Sequence, residues 1–100
     1  MRNPHNAISD AMSRLQMGNS VRETVTQDPQ SPRTWRIRLE SSPNALIRSF
    51  LDVEVIEEQD GDASVCVLRQ HNVGRRALFR IMTALVDALD DTPPIPGRGQ

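Results

Sequence analysis

The chain has no lysine and no tyrosine, so all twelve of its basic residues are arginine. The missing lysine excludes a Schiff base, a P-loop lysine and a lysine general base. Biased codon usage accounts for an all-arginine chain; so does selection for guanidinium forks that grip carboxylate or phosphate in a way an ammonium cannot. The single cysteine, Cys66, excludes an internal disulfide and a multi-cysteine zinc site, which makes a reducing, cytoplasmic setting the expectation. His5 and His71 are the only histidines and belong to no spaced ligand set, so no metal is expected. No cofactor motif is present either. Aromatics are limited to Trp35, Phe50 and Phe79, too few for a sheet that stacks bases, and nucleic acid is disfavoured as a partner. No apolar run approaches the ~20 residues of a membrane span, and Met1–Met17 is too polar for a signal-peptide core.

What is present is sorted charge. Residues 52–62 carry six acids (Asp52, Glu54, Glu57, Glu58, Asp60, Asp62) and no base, while residues 69–80 carry Arg69, Arg75, Arg76, Arg80 and His71 and no acid. The net charge is only -1. The molecule is therefore close to neutral and electrically lopsided, a property that bears on how it meets partners. With 100 residues and 37% hydrophobic composition, the chain suits one domain with a modest core.

Three segments are expected: an amphipathic helix within residues 1–19, an α+β domain over 20–90, and a Pro/Gly-rich tail over 91–100. Asn3-Pro4 pairs a capping side chain with a proline suited to the first helical turn, and Ile8, Ala11, Met12 and Leu15 follow at helical spacing. Residues 20–26 alternate weakly and fit an edge strand; Asp28–Pro32 reads as a loop. Thr34–Glu40 alternates strictly, with Trp35, Ile37 and Leu39 on one face and Arg36, Arg38 and Glu40 on the other. A second helix is expected after Ser42-Pro43, presenting Leu46, Ile47, Phe50 and Leu51. Strand Val53–Glu57, a turn at Asp60-Gly61-Asp62 and strand Ser64–Arg69 read as a hairpin. A long helix from about Gly74 to Asp90 buries Leu78, Ile81, Met82, Leu85 and Leu89.

The order from Thr34 is strand, helix, strand, strand, helix. It resembles ferredoxin-like or ACT-like sandwiches, a two-layer α+β build over a small mixed sheet whose first two strands are parallel through a right-handed crossover. That topology gathers Arg33, Arg48, Arg69, His71, Arg75 and Arg76 at one pole. It leaves Glu40, Glu57, Glu58, Asp60 and Asp62 at the other. The long helix carries arginines at its start and aspartates at its end, against its own dipole.

These features imply a small non-catalytic protein-interaction or regulatory module that self-associates, with a homodimer as the expected assembly. Candidate contact residues are Arg48, Phe79, Glu57, Glu58, Asp60 and Asp62, and Val53–Glu57 or Val21–Thr26 could offer an open sheet edge. The alternative is an anion-binding module for a nucleotide, a phosphorylated metabolite or an RNA backbone, using His71, Arg75, Arg76 and Arg33. A Cys66–His71 nucleophilic pair is disfavoured because a strand rise of ~3.3 Å per residue separates the two. The Glu57–Asp62 run lacks the spacing of a calcium loop.

Overall fold

A computed structural model describes residues 1–90; the tail expected over 91–100 lies outside the described residues. Helix α1 (Pro4–Arg14) starts where its capping chemistry predicts, with Asn3 Oδ1 accepting from the His5 N–H at 2.8 Å. It ends at Arg14, one residue before the last position of the apolar spacing, Leu15, and the chain turns away at Gln16, in the left-handed region at φ 58. Four strands follow: β1 (Val21–Asp28), β2 (Ser31–Ser41), β3 (Phe50–Glu57) and β4 (Ala63–His71). Helix α2 (Arg75–Leu89) closes the described chain. No helix among the described residues is long and apolar enough to cross a membrane.

The strands form an all-antiparallel meander in sequence order, β1-β2-β3-β4. Both helices cover one face, α1 against β1 and α2 against β4, which makes a two-layer α+β sandwich. The βαββα order and the mixed sheet are corrected: helices stand at the two ends of the element order, and the strands between them are consecutive.

The difference traces to residues 42–49, where the expected second helix does not form. Instead β2 and β3 are closed by a loop whose neck is held by Ser41 N–H to the Ser49 carbonyl and Ser49 N–H to Ser41 Oγ, both 3.0 Å. Leu46 and Ile47 are exposed at the loop tip, while Phe50 and Leu51 open β3. A helix confined between Pro43 and Asp52 would be too short to persist without docking. As strand residues, Leu51 extends the buried series Leu51, Val53, Val55 and Phe50 gains partners on the other face.

Turning that connection into a hairpin reverses β3 relative to β2, and the charge layout changes with it. Arg33 now shares its end of the sheet with the Glu57–Ala63 turn, and Glu40 sits opposite Phe50 at the end that holds His71. Val53–Glu57 is interior rather than an open edge; β1 and β4 are the edges. Residues 20–26 do border the Trp35 strand, and Asp28 faces Ser31 across a tight turn at Pro29-Gln30.

The core lies between the sheet's inner face and the helices. Ile37, Leu39, Leu51, Val53 and Val55 meet Ala7, Ile8, Ala11 and Met12 of α1 and Ile81, Ala84, Leu85, Ala88 and Leu89 of α2. Arg2 ties the start of α1 to the end of α2: its N–H donates to the Leu89 carbonyl at 3.0 Å, and its Nη1 to the Ala88 carbonyl at 3.1 Å. This supplies the positive charge that the α2 C-terminus lacks in its own last turn.

Candidate protein-interaction surface

Helix α2 has a buried stripe and, opposite it, an exposed one made of Arg76, Phe79, Arg80, Thr83, Val86 and Asp87. At 3.6 residues per turn these positions fall in one sector of roughly 120°. Phe79 is 72% exposed and Val86 50%. They border a shallow groove whose floor includes Met82 and Thr83. On the other flank a second groove runs between α2 and the end of α1, lined by Arg14, Leu15, Phe79, Arg80, Thr83 and Asp87, so the Phe79 ring stands between the two grooves. Among the described residues, the side chains of Arg76, Arg80 and Asp87 have no ion-pair or hydrogen-bond partner.

Of the anion candidates, the structure brings together His71, Arg75 and Arg76 where β4 runs into α2 and leaves Arg33 at the opposite end of the sheet. Arg48 stands at the near end: its carbonyl accepts from Asn72 Nδ2 at 3.2 Å. Asn72 adopts φ 54, a left-handed turn that redirects the chain from β4 toward α2. The cap residue Gly74 has no capping side chain and the first turn carries no acid, so its leading N–H groups lack a side-chain acceptor. The His71 ring is stacked on Phe50, with centroids 5.7 Å apart, and its Nε2 lies 3.3 Å from Asn72 Nδ2.

The acidic candidates gather at the β3–β4 turn, and several carboxylates are occupied there. Asp60 Oδ1 accepts from the Asp62 N–H, Asp62 Oδ1 from the Ala63 N–H, and Glu58 Oε1 from Ser64 Oγ at 2.6 Å. Gly61 supplies the φ of 86 that the turn requires. These acids build a hairpin tip. No cluster of three or more metal-ligating side chains occurs among the described residues.

The most organised polar cluster escaped the sequence reading. On the outer face, Arg38 donates Nε and Nη2 to the two oxygens of Asp52 at 2.7 and 2.8 Å, and Arg69 reaches the same carboxylate at 3.2 Å. Both guanidiniums lie over the Phe50 ring, 4.8 and 5.5 Å from its centroid. The Arg38 hydrogen bonds, ahead of those from Arg69, hold the Asp52 carboxyl below the usual carboxylate range against the opposing effect of burial.

A β-bulge makes this cluster possible. Asp52 faces Arg69 while Val53 faces Val67, so Leu68 is the extra residue. Without it, strict alternation would put Arg69 on the same face as Val67. Arg36 lies 3.5 Å from Glu54 and 3.7 Å from Asp28 on the same face. This outer face is a broad depression of about 570 Å³ lined by Thr24, Thr26, Arg36, Arg38, Asp52 and Arg69. Its charges largely answer one another, as befits the solvated side of an antiparallel sheet. Cys66 also lies here, its thiol turned to the Val67 carbonyl at 3.6 Å.

Every buried side-chain nitrogen and oxygen among the described residues has a hydrogen-bond partner. The exposed stripe of α2 therefore stands out as apolar surface beside unpaired charge. Comparison with protein-family models, with curated proteins and with solved structures found no match.

Proposed function

We propose that the protein is a small non-catalytic protein-interaction or regulatory module that docks protein on the exposed face of α2. The observation that carries this reading is Phe79 at 72% exposure beside Val86 at 50%, on a helix whose other side is fully engaged in the core. An aromatic ring buries on the order of 150–250 Å² on docking. Holding it in water beside Arg76 and Arg80 of a charged stripe serves contact better than folding. Photo-crosslinking tests this. A benzophenone amino acid at position 79 should give protein adducts, to a second copy or to another chain, and the same probe at Thr24 should give few. Equal labelling at both positions, or none at 79, would sink the reading.

The anion-binding alternative keeps one specific observation in its favour: an uncapped α2 N-terminus with Arg75 and Arg76 exposed beside it. The ligand would be held by His71, Arg75 and Arg76 without Arg33. Replacing Arg75 and Arg76 by alanine would then abolish nucleotide or phosphate binding with no loss of stability. A titration that leaves the amide spectrum of residues 71–77 unmoved would remove this alternative.

A further inference from the structure

We infer that the partner of the α2 face is a second copy of this chain, its α2 packed antiparallel across a two-fold axis beside Thr83. The inference rests on the proposal that this face docks protein; it adds the occupant and the register. The argument is the arrangement of charge and apolar groups about Thr83. A two-fold axis perpendicular to an antiparallel helix pair places each residue level with the one equally far beyond the centre, and keeps the left and right flanks distinct.

At about 100° per residue, Arg80 and Asp87 fall to one side of Thr83 around the helix, the side on which Arg80 shares a groove with Arg14 and Leu15 of α1. Phe79 and Val86 fall to the other side, where Val86 shares a groove with Met82, while Phe79, Thr83 and Asp87, nearer the middle, line both grooves. The pairing therefore sets Arg80 of each copy beside Asp87 of the other, and Phe79 of each beside Val86 of the other. The axial mismatch is one residue, about 1.5 Å. Thr83, small and exposed, faces its own copy at the centre. Arg76 falls level with Asp90 of the other copy.

In a parallel pairing Arg76 and Arg80 would meet Arg76 and Arg80, so the same pattern opposes the competing arrangement. Antiparallel pairing also answers the electrostatics of α2 itself. Its basic start and acidic end oppose its macrodipole within one copy, but each end then lies beside the oppositely charged end of its neighbour. Within a single copy Arg80 and Asp87 are two turns apart, roughly 10 Å along the axis, too far to pair. A one-helix contact places the interface at the small end of specific interfaces, so the dimer should dissociate on the order of micromolar concentrations.

The test is sedimentation velocity across the micromolar to millimolar range, with reductant present to silence Cys66. Arg80→Asp and Asp87→Arg alone should each weaken the dimer by about tenfold, and the double exchange should restore it to within about threefold of the parent. All of these positions are exposed, so the variants should fold, which their amide spectra check. Phe79→Ser should weaken the dimer more than any single charge exchange. Thr83→Cys in a Cys66→Ser background should oxidise to a covalent dimer, whereas Thr24→Cys in that background should not.

A chain that stays monomeric throughout overturns the pairing and leaves the docking face to be judged by its own crosslinks. A dimer indifferent to Phe79→Ser and to both charge exchanges is built on another surface and overturns the pairing, while a silent crosslink at position 79 is what overturns the docking face. A dimer that weakens with Phe79→Ser but gains nothing from the double exchange overturns the antiparallel register alone.

Discussion

Arg38 and Asp52, directly opposite each other on β2 and β3, are joined by two parallel hydrogen bonds of 2.7 and 2.8 Å. Arg69 reaches the same carboxylate from β4, so one side chain links three strands. Its lowered pKa fixes the sign of a pH effect. A carboxyl whose folded pKa lies below its unfolded value contributes stability that is complete above the unfolded value of about 3.9 and is lost as pH falls through the folded one. The parent should therefore be more stable than Asp52→Asn at neutral pH, and the two should converge in acid. Denaturant unfolding of both proteins from neutral pH down to about 2 measures this; a constant difference across that range would refute the linkage.

Arg2 makes two kinds of contact whose weights differ. Its Nη1 bond to the Ala88 carbonyl caps a helix end, whereas its pair with Asp10, at 2.6 Å, involves two partly exposed side chains. Exposed pairs contribute little, and a charge-assisted bond to a C-terminal carbonyl contributes about 1–2 kcal/mol. Arg2→Ala should lower the thermal midpoint by roughly 4–8 °C or more, and Asp10→Asn by much less. Calorimetry that ranks the two equally would place the stabilisation in the ion pair.

Gly61 has φ 86 with nothing within 4 Å of where a Cβ would stand. Gly61→Ala should therefore cost only backbone strain, about 1 kcal/mol. Because the turn closes the β3–β4 hairpin, the loss should be visible in equilibrium unfolding. An unchanged midpoint would mean that the turn relaxes to a negative φ.

Gly74 caps α2 with φ -64 and ψ 150, a conformation open to any residue and suited to a capping side chain. Gly74→Asp should stabilise the fold by roughly 0.5–1 kcal/mol through a side-chain acceptor, a favourable charge at the positive helix end and a stiffer unfolded chain. It should also exclude any anion from that end. A destabilised variant would show that the exposed N–H groups are already satisfied.

How much of this was legible depended on whether the signal was local. The start of α1 followed from Asn3-Pro4, and the two faces of β2 from its strict alternation, because cap chemistry and pleat periodicity act over a few residues. The outcome for Leu46, Ile47, Phe50 and Leu51 did not, since four apolar residues at helical spacing also fit a loop tip and the first turns of a strand. Tertiary gain decided it: Leu51 filled the core and Phe50 found two guanidiniums and an imidazole. That one substitution of hairpin for helix set Arg33 beside the acidic Glu57–Ala63 turn and Glu40 at the end that holds His71. The Asp52 cluster depended further on a single extra residue, Leu68, which no composition or spacing rule marks. The Phe79 stripe was half legible: the residue flanks the apolar face in sequence, and the packing of the rest of α2 decided that it faces solvent.

The order of the elements gives the folding of this chain a late closing step. All three strand pairings are between sequence neighbours and can form as the chain emerges, a topology that favours fast local assembly. The helical layer, in contrast, is gathered from both flanks of the sheet in sequence, and Arg2 meets Leu89 only when α2 is in place. A chain without α2 therefore holds a sheet whose apolar face is half bare, and its first helix rests on β1 without the helix that packs beside it. Docking of residues 75–89 is the step that converts a sticky hairpin array into a closed sandwich.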